Sequence, residues 1–154
     1  MDAEARLKEL GIILPKSSAP AGSYAKAVII DGFAHLSGQG PRDGDGKPLT
    51  GQVPNDISVA DAILAARNVG LYSLSALREE IGSLDRVEQV VRTFGMVNAS
   101  PGFSEHPKVI DGFSNLMIEV FGEAGRGARS AVGMSSLPFN IPVEVEITIK
   151  IRRS

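Results

Sequence analysis

The run Val143 to Ile151, VEVEITIKI, alternates without a break: Val143, Val145, Ile147, Ile149 and Ile151 take every second position, with Glu144, Glu146, Thr148 and Lys150 between them. Successive side chains of a strand point to opposite faces, so this run is a β-strand with one apolar face to bury and one polar face to leave open. A chain that contains such a strand has to supply a cover for it. In residues 56–82, Ile57, Ala60, Leu64, Leu71, Leu74, Leu77 and Ile81 follow a period near 3.6, with Asn55 or Asp56 placed to cap the start and Gly82 the end. In residues 108–121, Val109, Ile110, Phe113, Leu116, Met117, Val120 and Phe121 repeat at i, i+3 and i+4, and Pro107 suits a first helical position. A sheet with these two helices on one face is an α+β layer arrangement, and its uncovered face invites association with other chains.

Three further stretches complete the sheet. Residues 25–30 and 33–38 read as a hairpin, because Asp31-Gly32 suits the two positive-φ positions of a type I′ turn. Arg86 to Asn98 has apolar groups on both faces, the mark of an interior strand, and Arg129 to Met134 is a further strand candidate. Residues 40–56 are dense in Gly, Pro and Asp and read as a surface loop with a short ribbon inside it. Residues 3–10 suit one or two helical turns, with Leu7 and Leu10 on one side and Gly11 as the stop.

At 154 residues the chain fits one domain, with residues 1–19 as an N-terminal extension ahead of the first strand. A formal charge of −2 offers no field for duplex nucleic acid or an anionic membrane. Having no cysteine, the chain has no thiol chemistry, and with no leader-like start or spanning apolar run it reads as cytoplasmic. Metal and cofactor signals are weak. DGDGK at Asp43 to Lys47 lacks the spacing of a calcium loop, His35 and His106 are isolated, and no glycine stretch carries a phosphate-loop or dinucleotide pattern, so neither a metal nor a cofactor is expected.

Several motifs then fall in one order: Gly22 to Tyr24 as Gly-x-Tyr, SGQ at Ser37 to Gln39, GSLDRVEQVVRTFGMVN, ARSAVG and VEVE. Over about residues 20–153 the chain resembles the Rid family, also called the YjgF or L-PSP endoribonuclease-like family, in its longer chorismate-mutase-like branch. The resemblance implies a chorismate-mutase-like mixed sheet with two helices on one face, assembled as a homotrimer with clefts between subunits. It further implies hydrolysis of reactive 2-imino acids and enamines to 2-oxo acids and ammonia. By the same resemblance Arg129 grips the substrate carboxylate, a task suited to a planar guanidinium fork, and Glu144 positions the water. Tyr24, Ser37, Gly38, Gln39, Asp111 and Ala131 fall on the pocket wall.

Three departures from the family pattern stand out. Ala131 replaces a cysteine, Asp111 an asparagine, and Gly127 the histidine of GRHARS. Asp111 and Gly127 motivate a second reading, a non-catalytic trimer that binds small carboxylates or a protein partner. The ribonuclease in the family name is the weakest expectation, since the chain has 6 Phe, 2 Tyr and no Trp to stack bases and no basic patch interleaved with them.

Overall fold

The strictly alternating strand lies inside the sheet. The computed structural model describes residues 2–153, with helices α1 (Ala3–Glu9), α2 (Val59–Ile81) and α3 (His106–Phe121) and strands β1 (Ala27–Ile30), β2 (Phe33–Gln39), β3 (Val87–Asn98), β4 (Ala128–Met134) and β5 (Val143–Ile151). The strand order is β1-β2-β5-β3-β4. β5 runs antiparallel to both β2 and β3, whereas β4 runs parallel to β3, the arrangement that the α3 crossover permits. All five apolar residues of β5 are buried. They join Val90 and Val97 of β3 and Phe113, Leu116 and Met117 of α3 in one core under α2 and α3. The β1–β2 hairpin turns at Asp31 (φ 50) and Gly32 (φ 78), as the Asp-Gly pair requires.

The first long helix departs from the expected stripe. Its N-cap is Ser58, whose side chain accepts from Asp61 N–H, while Asp56 accepts from Gln52 N–H in the preceding turn. In its N-terminal half the buried face is Ala62, Ala65, Ala66, Val69 and Gly70, whereas Ala60 is exposed and Leu64 is 63% exposed. Close approach explains the preference for small residues. A Cβ on Gly112 of α3 would lie 2.1 Å from the Ile63 carbonyl oxygen, and one on Gly70 would lie 2.8 Å from Leu116 Cδ2. The two helix backbones therefore meet at a distance that large side chains would prevent.

The N-terminal segment is tied to this layer. Ala3 and Leu7 are buried while Leu10 is exposed, so the face of α1 is set one turn earlier than its leucines suggest. Glu4 accepts from Leu84 N–H and donates its own N–H to Asp85, and Arg6 Nε donates to the Glu119 carbonyl. The loop over residues 40–56 contains the expected ribbon as a bridge between Arg42 and Pro48. It is held to the sheet end by Val53 N–H to Asn98 O and Gly51 N–H to Asn140 O, both 2.8 Å.

Alanine for glycine in a helix ordinarily adds stability, but Gly112→Ala is expected to act in the opposite sense because its methyl meets the Ile63 backbone. Chemical unfolding should show a loss of roughly 1–3 kcal/mol or more, the range for overpacking. An unchanged or raised midpoint would contradict the close helix contact.

Candidate functional site

The face of β5 that cannot enter the core builds the site. Since Val143 and Val145 point to the helices, Glu144 and Glu146 point together to the uncovered face. The pairing of β2 with β5 shifts between Leu36 and Gln39: Leu36 faces Ile147 and Gln39 faces Val145, so Ser37 and Gly38 together oppose Glu146. This bulge turns the β2 backbone toward Glu144. A Cβ on Gly38 would stand 2.8 Å from Glu144 Oε1, so only glycine lets the carboxylate rest there.

Two adjoining grooves share Tyr24, Gly38, Pro138, Phe139 and Glu144 as walls. Gln39 lines the first and Ser37 the second. Tyr24 is folded over Gly22, its hydroxyl accepting from Ala21 N–H at 3.0 Å. The Ser37 hydroxyl donates to Ala25 O at 2.6 Å, tying β2 to the segment before β1. Lys26 and Arg42 also border the first groove. Lys26 is paired with Glu79 at 2.8 Å, and Arg42 donates to Gly46 O.

Phe139 was not legible as a site residue. It is 70% exposed at φ 58 on the turn between β4 and β5, beside Asn140 at φ 55. The turn is secured by the buried amide of Asn98, which donates to Asn140 Oδ1 at 3.0 Å and to Ile141 O at 3.1 Å. A bulky residue in the left-handed region marks backbone held in place by its surroundings. The only sequence signal was a turn containing two prolines.

Burial raises the pKa of the half-buried Glu144 above the usual glutamate value, and the nearby Glu146 carboxylate raises it further. The group is therefore more easily protonated than a surface glutamate.

Arg129 lies elsewhere. It pairs with Thr93, which in turn pairs with Ile147, so its side chain is on the helix-covered face at the β4 edge. Its Nη1 donates to Asp111 Oδ1 at 2.7 Å and Ser114 Oγ at 3.3 Å, and its Nη2 donates to Pro107 O at 3.3 Å. Ala131 is two residues further along the same face. Tyr24, Ser37, Gly38, Gln39 and Glu144 thus gather in one place, and Arg129, Asp111 and Ala131 in another, separated within one chain by the sheet. Gly127 has a backbone reason: a Cβ there would lie 2.6 Å from Val90 O.

The histidines serve packing and the open face. His106 sits against Gly133 and meets Phe103 edge-on at 5.1 Å, and His35 lies 3.2 Å from Thr148 Oγ1. Among the described residues no group of three or more His, Asp or Glu side chains converges as a metal site.

The family model described as "YjgF/chorismate mutase-like, putative endoribonuclease" matches residues 4–149. The Trypanosoma cruzi protein named TCP17 is 41% identical over 148 residues, covering 96% of this chain and 92% of the relative. A solved structure from Shewanella oneidensis, described as a "putative endoribonuclease", superposes with a TM-score of 0.93 at 34% identity, covering 98% of this chain and 100% of the other. An Agrobacterium tumefaciens structure described as of unknown function gives a TM-score of 0.87 at 39% identity, covering 97% and 94%.

The environment of Glu144 predicts a pH signature. A carboxyl whose pKa is raised in the folded chain binds its proton more tightly folded than unfolded. Its contribution to stability is therefore fully present below the ordinary value of 4.5 and is lost as pH rises through the raised value. Glu144→Gln should remove this loss, leaving the variant at least as stable as the parent at neutral pH, by unfolding titrations across pH. Glu146→Gln should lower the Glu144 titration midpoint in carbon-detected NMR, and an unmoved midpoint would contradict the coupling.

Proposed function

Because the chain belongs to the YjgF/chorismate mutase-like family, we propose that it is a deaminase hydrolysing 2-imino acids and their enamine tautomers to 2-oxo acids and ammonia. The observation that carries this reading is Glu144: a half-buried, readily protonated carboxyl at the wall of a groove of metabolite size. Its carboxylate takes a proton from a water whose oxygen bonds to the imine carbon, and the resulting acid returns that proton to nitrogen, forming a neutral tetrahedral carbinolamine. The carboxylate then takes the carbinolamine hydroxyl proton and passes it to the amine nitrogen as the carbon–nitrogen bond breaks, so that the carbonyl forms and ammonia leaves with the 2-oxo acid behind. A carboxyl with a raised pKa suits both halves of this exchange better than an ordinary surface glutamate.

Arg129 supports the reading as carboxylate anchor. A guanidinium has five N–H donors, and three hydrogen bonds engage Nη1 twice and Nη2 once. One N–H on Nε and one on Nη2 are without an acceptor among the described residues, the number that a bidentate carboxylate grip needs. Because Arg129 and Glu144 occupy opposite faces of one sheet, the complete site in this proposal draws on two chains. The open sheet face, with Phe94, Arg92, Glu146 and Thr148 along it, supplies a surface for a homotrimer. No helix among the described residues is long and apolar enough to cross a membrane, and a cytoplasmic metabolic role belongs to the same proposal.

A second reading has its own observation. Arg129 already has a carboxylate at 2.7 Å in Asp111, which favours a trimer that binds small carboxylates or a protein partner without turning them over. Ribonuclease action has less support, since Lys26 is paired with Glu79 and the grooves carry acids beside their cations.

Fresh 2-iminopropionate or a bulkier 2-imino acid, generated in the assay, should disappear faster with the protein. Glu144→Gln should slow this by roughly 10²- to 10⁴-fold, the range for a lost general acid–base group. Arg129→Lys should lower kcat/KM by roughly ten- to a hundredfold through loss of one charge-assisted hydrogen bond, with the oligomer unchanged by size-exclusion chromatography. Binding of 2-oxo acids without any acceleration would favour the second reading.

A further inference from the structure

The Arg129 cluster presents more than a cation. Asp111 spends one oxygen, Oδ1, on Arg129 Nη1, and its other oxygen accepts no hydrogen bond among the described residues. Its side chain is 53% exposed while that of Arg129 is 24% exposed, so the acid stands outward beside the two unengaged guanidinium donors. Ser114 Oγ and Pro107 O are uncharged, so the cluster carries one positive and one negative charge side by side.

An anchor of this kind has no net attraction for a second negative charge. It is complementary to a ligand that brings a carboxylate to the guanidinium and a cation to the free Asp111 oxygen. From this juxtaposition we propose that Asp111 is a specificity-determining residue that selects, among small 2-imino or 2-oxo acids, those whose side chain carries a positive charge and rejects those with a second carboxylate. The inference rests on the carboxylate-anchoring role of Arg129 proposed above. Arg129 sets where the carboxylate sits and Asp111 sets the charge tolerated next to it. An amide at the same position would keep the hydrogen bond to Nη1 through its oxygen and lose the discrimination.

Three 2-imino acids generated in the assay from alanine, glutamate and arginine differ in side-chain charge, and the guanidino side chain resists the ring closure open to an amine. The parent protein is expected to favour the arginine-derived over the glutamate-derived compound by about tenfold or more, the scale of a unit charge pair several ångströms apart near a protein surface. The preference should shrink as salt is raised. Asp111→Asn should collapse the ratio chiefly by improving kcat/KM for the glutamate-derived compound, and Asp111→Glu should keep it.

Calorimetry with the three corresponding 2-oxo acids gives the same ranking without requiring turnover. If no imine is hydrolysed but the oxo acids bind in the stated order, the deaminase reading fails and the charge selection stands. If hydrolysis proceeds with a ratio that Asp111→Asn leaves unchanged, the charge selection fails and the deaminase reading stands. Absence of both hydrolysis and binding overturns the two together.

Discussion

Burial of the Val143–Ile151 face beneath α2 and α3 is the contact on which the rest of the molecule depends. Five β-branched side chains on one face of β5 leave water together, a favourable term that exceeds any single polar contact described here. The pleat then leaves no choice for the residues between them. Glu144 and Glu146 must share the other face, and because they are two residues apart the Glu146 carboxylate adds to burial in resisting the ionisation of Glu144. A structural requirement of the core thus creates the electrostatic condition of the groove.

Glycine backbone supplies the space on both sides of the sheet. Gly38, in the β2 bulge, lets the Glu144 carboxylate lie against the strand, while Gly112 and Gly70 let α2 and α3 approach closely. The other groove walls come from segments without regular structure. The Phe139 turn is held by the buried Asn98 amide, and the loop before α2 is held by backbone bonds to Asn98 and Asn140. Asn98 therefore links the end of an interior strand to the mouth of the groove, the kind of buried, satisfied polar group that specifies one arrangement of its neighbours.

The two candidate clusters have different characters. Around Glu144 burial and a second carboxylate push the acid toward its protonated form, whereas around Arg129 opposite charges stand paired at the sheet edge. A reaction that moves protons at one place and holds a carboxylate at the other would use both, and in the proposed trimer the open face of the sheet is the surface through which separate chains would bring them together. Asp111 and Gly127, which set this chain apart from the pattern it resembles, have separate physical consequences: one changes the charge beside the anchor, and the other lets residue 127 pass against Val90.

Local alternation and spacing sufficed for β5, the Asp31-Gly32 hairpin, the interior position of β3 and the α3 stripe, because periodicity and turn chemistry are read over a few residues. The ordered motifs sufficed for the family. The N-terminal half of α2 departs from its apolar spacing, since leucines normally mark a buried face and only the packed partner helix reveals that small residues are needed there instead. Phe139 was hidden for a related reason: its exposure and backbone conformation are imposed by Asn98, 41 positions earlier in the chain. Sequence alone determined that an acid stands on the polar face of the last strand at Glu144 and that a guanidinium stands at Arg129. Tertiary structure decided that Glu144 and Arg129 face opposite ways and that Asp111 reaches the guanidinium, because strand order and helix placement depend on contacts that no local pattern records.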